Sequence, residues 1–230
     1  MSTRKKSGRT VEEQKQVLSE YIPEPAVDAV FAWITEHKVH FTITRNRISK
    51  LGDYRHPHRG KGHRITVNHN LNKFAFLITV LHEIAHLLTF ELHKNKVSPH
   101  GKEWKNQFKQ VLRPFLLNHV FPEDVLDALN RYIINPEASH CSDVNLLRTL
   151  RKYDQKATDV NGLARIHVED LPIDTIFVLE NGMTLRKGEL LRKRFKCIDI
   201  KTQKTYLVNP LPEVFIAQKS PDKKGQFQMF

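Results

Sequence analysis

Phe74 to Phe90 is the longest apolar-rich run in the chain, and it contains His82, Glu83 and His86. Val80, Leu81, Ile84, Ala85, Leu87 and Leu88 surround these three polar residues. A helix built from this run is apolar nearly all round, so it has to be buried. A bilayer core tolerates two histidines and a glutamate poorly, and a membrane span is therefore not expected. In a protein core the same groups are costly unless a metal or hydrogen bonds satisfy them. One segment thus demands both an enclosing core and a reason for ionisable groups inside it.

His82-Glu83-Ile84-Ala85-His86 supplies the reason, because it has HExxH spacing. Residues i and i+4 share one helix face, so both imidazoles can reach one Zn2+. Glu83, beside the first ligand, is placed as a general base. With 13 His and 14 Glu in the chain, about 0.04 such matches are expected by chance. The bland alternative is a set of satisfied core histidines. A catalytic zinc usually takes three protein ligands and leaves one position open. His93, seven residues after His86, stays open as a third ligand but comes soon for a chain that must leave the helix and return. His100 comes after a loop with Asn95, Ser98 and Pro99, and is followed by Gly101, which allows close backbone approach. The shorter HExxHxxGxxH pattern fails, with Thr89 and Leu92 at its last two positions.

The 230 residues allow one medium domain or two small ones, and 40% apolar residues are enough for a packed core. Thr10 and Glu13 have capping-box spacing, which predicts a helix to about Tyr21. Pro25 opens a second helix ending near His37. Val39, Phe41 and Ile43 alternate as in a strand; further strands are expected near Ile48–Tyr54 and Arg64–Asn68. Asn70 or Asn72 caps the HExxH helix. Later helices are expected from Gly101 to near Pro114, from Pro122 to Tyr132, and after Ser142. Residues 152–165 are polar and lack a period. Beyond them the texture is β, with Asn181-Gly182 as a hairpin signal and strands at 175–179, 194–200, 205–208 and 214–217.

His82-Glu83-x-x-His86 followed by His100-Gly101-x-x-Trp104-Lys105 resembles the SprT-like metalloprotease domain, which includes the Spartan proteases. Leu51-Gly52-x-Tyr54-Arg55 and Ile65-Thr66-Val67-Asn68 resemble that family's strands before the active-site helix. The resemblance covers roughly residues 20–135. It implies a zincin-type fold with a small antiparallel sheet and packing helices, and with the β texture read after residue 165 the expected class is α+β with a small all-β module at the end. It implies His82, His86 and His100 as ligands of one catalytic Zn2+, and Glu83 as the catalytic residue of a zinc metalloendopeptidase. The usual partner in that family is DNA, and its best-known substrates are proteins crosslinked to DNA. Members often end in a zinc ribbon built on two cysteine pairs. Cys141 and Cys197 are the only cysteines here, so a four-cysteine site cannot form within the chain.

The expected organisation is a basic arm (1–9), the metalloprotease domain (10–151), a linker (152–169), a basic β-module in the ribbon's place (170–217) and a tail (218–230). Tyr54 and Arg55 are candidates for transition-state support, against the plainer reading of a strand tyrosine and a surface arginine. His56, His58 and His63 fit no metal spacing and read as a solvated or phosphate-contacting hairpin.

The net charge of +12 is concentrated. Residues 1–10 carry +4, residues 45–64 carry +6 and residues 182–205 carry +6. Arg59, Lys61, Arg64, Arg186, Lys187, Arg192, Lys193, Arg194 and Lys196 are candidate nucleic-acid contacts, with Phe195 and Tyr206 as stacking faces. The alternative is a solvated rim around a core Phe195. Protein is the expected substrate, DNA the expected partner, and the cytoplasm, with association to the nucleoid, the expected location. The competing readings are a DNA-binding or regulatory protein with a structural or weakly active zinc site, and a general peptidase associated with RNA or acidic proteins.

Overall fold

The computed structural model describes residues 9–45, 47, 50–136, 143–154, 166–179 and 181–216. It is an α+β protein, divided into two compact units between Gln155 and Lys156. The expected arm before Arg9, the tail, Cys141 and Ser142 lie outside the described residues.

The first unit opens with α1 (Val11–Tyr21). Thr10 Oγ1 accepts the Glu13 N–H, and Glu13 in turn accepts the Thr10 N–H, so the predicted capping box is complete. α2 (Val27–Glu36) follows, then β1 (His40–Thr44), β2 (Gly52–Arg55) and β3 (Arg64–Asn68). The sheet order is β1-β3-β2. β2 is antiparallel to β3, but β1 runs parallel to it, so the sheet is mixed rather than antiparallel throughout. α2 precedes β1, and the β1–β3 connection carries β2, which returns along the far edge of β3. Arg47 ties that connection down. Its Nε donates to Asn68 Oδ1 at 2.8 Å and its Nη1 to Thr66 Oγ1 at 2.9 Å.

α3 (Lys73–His93) is the central element. Asn72 caps it, accepting from the Phe74 and Ala75 N–H groups. By length and composition α3 alone among the described helices could cross a membrane, yet 72% of the relevant window is buried inside the protein. Its all-round apolarity is used in packing against α1, α4 and strands β2 and β3, where Ile65 and Val67 face the core. Each fully buried Leu, Ile or Phe is worth about 1.5–3 kcal/mol. α4 (Lys102–Leu117), α5 (Glu123–Tyr132) and α6 (Val144–Arg151) complete the unit. Asp143, whose side chain accepts the Leu146 N–H, is the α6 cap. α4 does not stop at Pro114 but continues to Leu117. An internal proline costs about 3 kcal/mol, and the continuation buries Phe115 in the core, which offsets much of it.

The second unit holds β4 (Ile166–His167), β5 (Ile176–Val178), β6 (Thr184–Leu191), β7 (Arg194–Asp199), β8 (Thr205–Val208) and β9 (Glu213–Ile216) in the order β4-β9-β5-β6-β7-β8. All neighbours are antiparallel. β4 lies in the stretch read as linker, where it pairs with β9. Gly182 has φ of 81°, the conformation the Asn-Gly turn requires. At Gly188 a Cβ would lie 2.2 Å from the Lys196 carbonyl oxygen, so the β6 bulge tolerates only glycine. Phe177, Leu185, Phe195 and Cys197 form the core with Val168, Leu171, Val208 and Val214.

Candidate metal centre

α3 brings His82 and His86 to one face, one turn apart. The turn from Ser98 to Gly101, closed by the Gly101 N–H on the Ser98 carbonyl, delivers His100 opposite them just before α4 begins. The three Nε2 atoms converge. His82 and His86 are 3.2 Å apart, His86 and His100 3.0 Å, and His82 and His100 3.2 Å. These cannot all be hydrogen bonds. Each Nε2 carries either a proton or a lone pair, so at least one of three mutual contacts joins two like groups. Zn–N bonds of about 2.0–2.1 Å in a tetrahedron put nitrogens about 3.3–3.4 Å apart. The donor set and its spacing therefore fit a divalent zinc ion. Burial, and then His100, hold His86 down to about 3, and burial alone holds His100 below its ordinary range. Both are neutral near pH 7, the form that binds metal.

Trp104 forms the floor of this cluster. Its ring centroid lies 4.6, 5.3 and 4.8 Å from those of His82, His86 and His100, and Phe108 stacks beneath it. The sequence placed Trp104 in the His100-Gly101-x-x-Trp104 motif without giving it a role at the ligands. Its place one turn after His100 is the signal that ties it to the ligands.

Glu83 faces the strand side of a cleft of about 700 Å3 that also takes in the three histidines, Gly52 and Tyr54. Burial, and then the charge of Asp53, push its carboxyl up to about 8. The Tyr54 backbone N–H, which donates to it, and the cations Arg47 and Lys50 pull the other way. Gly52 makes the room. A Cβ there would lie 2.4 Å from Glu83 Oε1 and 2.7 Å from Thr79 Cγ2. Sequence reasoning quoted Gly52 within Leu51-Gly52-x-Tyr54-Arg55 but gave it no part in shaping the cleft. A glycine inside a strand beside a buried helix is the signal, because it marks close approach.

Residues 23–123 match the SprT-like family. By this similarity they count as a SprT-like domain, over less than half of the chain. No solved structure matches the chain. The matched segment holds the His82, His86 and His100 cluster, Glu83 and all three strands of the first sheet. The SprT-like domain has a metallopeptidase-like fold, and its clustered histidines can bind a metal.

The other candidate residues divide. Tyr54 lines the cleft, with its hydroxyl 2.8 Å from His63 Nδ1. Arg55 does not line it; its Nε donates to Asp53 at 2.8 Å. Burial alone would raise Asp53, but Lys50 and Arg55 outweigh it and hold the carboxyl low. Arg59 and Lys61 are exposed, whereas Arg64 is half-buried. His56 and His63 are not solvated loop residues. His56 stacks on Phe90 at 4.7 Å and His63 on Tyr54 at 5.9 Å. In the second unit Arg186, Arg192, Lys193, Arg194 and Lys196 are exposed.

Lys187 and Phe195 are corrections. Lys187 is 3% exposed, donates to the Glu169 and Leu171 carbonyls, and lies over the Phe195 ring at 4.1 Å. Strand alternation turns it inward with Leu185, so it cannot meet a phosphate. Phe195 is core and offers no stacking face. Tyr206 packs, half-buried, against the same core.

Proposed function

We propose that this chain is a zinc-dependent endopeptidase acting on proteins associated with DNA. The three converging ring nitrogens beside the buried Glu83 carboxyl carry this reading. His82, His86 and His100 would hold one Zn2+, preferred for an all-imidazole set. When bound, such an ion polarises a scissile carbonyl and makes water a better nucleophile near neutral pH. Glu83 moves the protons, taking one from the attacking water and returning it to the leaving amine. In the metal-free protein burial keeps this carboxyl protonated up to about pH 8, and the charge of a bound ion nearby would lower that hold and free the carboxylate to act as base. β2 lines the cleft and among the described residues has a strand neighbour on one side only, so an extended substrate can add to it through main-chain hydrogen bonds. The exposed cations, Arg59 and Lys61 in the first unit and Arg186, Arg192, Arg194 and Lys196 in the second, favour a polyanionic partner.

The test is cleavage of a DNA-binding protein with and without DNA, wild type against Glu83→Gln, with zinc content measured in both. The expected result is equal zinc and a loss of cleavage on the order of 10³-fold in the variant. Equal cleavage would sink the mechanism. Cleavage indifferent to DNA would support a general peptidase, and zinc without cleavage a regulatory DNA-binding protein.

A further inference from the structure

Beside the cleft, four side chains from four different parts of the SprT-like domain form a chain. The Tyr54 hydroxyl is 2.8 Å from His63 Nδ1. His63 Nε2 is 3.7 Å from Glu91 Oε1, and the Glu91 carboxylate is 3.1 Å from His37 Nδ1. The assembly is held firmly. The Tyr54 and His63 rings are stacked with 20° between their planes, and Phe90 meets His63 edge-on. The side chains of His63 and His37 are only 14% and 15% exposed. Tyr54 is the end of the chain that opens into the cleft, and its backbone N–H already holds Glu83.

At 3.7 Å the Glu91 carboxylate acts on His63 Nε2 through its charge rather than a hydrogen bond, and with the Tyr54–His63 hydrogen bond this gives the chain two states. A carboxylate facing Nε2 favours the tautomer with its proton there. Nδ1 then carries a lone pair and accepts the Tyr54 O–H, which has no proton left for the cleft. When His63 is protonated, both ring nitrogens donate. Nδ1–H now donates to the Tyr54 oxygen, and the phenolic proton is free to turn towards a carbonyl or oxyanion in the cleft.

We propose that His63, backed by Glu91 and His37, is a positioning residue whose charge decides whether Tyr54 gives its proton to His63 or into the cleft. The inference rests on the peptidase reading and adds a pH-dependent donor to the same site. The ionisable groups facing His63 are Glu91 and Lys94 from α3 and its cap, His37 from the end of α2, and Tyr54 and His56 from β2 and the loop after it. Burial lowers His63, Glu91 opposes this, and His37, Lys94 and His56 add to the lowering. The donor state therefore belongs to the acid side of neutrality.

The experiment is histidine-selective 15N NMR on the zinc-loaded full chain, with His63→Gln to identify the resonances. The expected result at about pH 8 is an Nε2–H tautomer, which becomes an imidazolium on acidification. Glu91→Gln is expected to move that transition to lower pH. An Nδ1–H tautomer at the same pH, or a transition unmoved by Glu91→Gln, overturns the proposal. In parallel, Tyr54→Phe is expected to lose on the order of 10²-fold in kcat on the acid limb, with KM little changed and the loss shrinking above neutrality. A pH–kcat profile of unchanged shape also overturns it. A protein that cleaves nothing sinks the peptidase reading, while the tautomer and its titration still decide the role of His63.

Discussion

Glu83 in the first unit and Lys187 in the second are both buried ionisable residues, 6% and 3% exposed. Lys187 is answered on every side that matters. Two backbone carbonyls accept from its ammonium group and the face of Phe195 lies beneath it. Glu83 is not. It takes one backbone N–H and otherwise faces a cleft with three imidazole nitrogens that cannot all satisfy one another. A buried charge whose partners belong to the fold is a structural device. Convergent ring nitrogens that cannot all pair with one another point to a ligand.

Removing a ligand breaks the contrast most severely. His100→Ala is expected to weaken zinc binding by more than 100-fold, since even outer partners of a metal ligand are worth about 10–100-fold. Competition with a chelator of known affinity measures it. Trp104 keeps its packing on His82 and His86, so the variant should remain folded. Unaltered zinc affinity would mean that the three-histidine set is not the site.

Lys187→Met sharpens the other side. It leaves the Glu169 and Leu171 carbonyls without their donor, at a cost of about 2 kcal/mol. The loss should appear in the melting of the second unit, followed by denaturant titration, with zinc content unchanged. An unaffected midpoint would make Lys187 a passive guest in its core.

The contrast also marks what could be read in the sequence. HExxH and His100 were legible because helix periodicity and a short loop determine where those side chains meet. The Thr10–Glu13 cap and the Val39–Ile43 strand were legible for the same local reason. Arg47, Lys50 and Arg55 count as basic surface in a sequence, yet Arg47 ties the β1–β2 connection to Asn68 and Thr66 while Lys50 and Arg55 neutralise Asp53. Partners 19 and 21 residues away for Arg47 leave no local pattern. Lys187 was misread for a related reason. Its inward phase follows from Leu185, but the bulge at Gly188 shifts the register and hides the alternation. The Tyr54–His63–Glu91–His37 chain is wholly non-local, so only the fold could bring it together.

The smallest predicted effect concerns pH, in the metal-free protein. Folding raises Glu83 from an ordinary 4.5 to about 8, so between those values the folded state holds a proton that the unfolded state has lost. Stability from this group falls as pH rises through that window. His86 acts oppositely. Folding lowers it from 6.5 to about 3, so the unfolded state holds the extra proton there and stability rises with pH. The two oppose each other from 4.5 to 6.5, and only Glu83 acts from 6.5 to about 8. Over that upper range the loss is at most about 2 kcal/mol. Denaturant melts across the range should show the decline in wild type and not in Glu83→Gln, whose amide needs no proton. A decline shared equally by both proteins would mean that Glu83 is as well answered by its surroundings as Lys187, and the distinction between the two buried groups would fail.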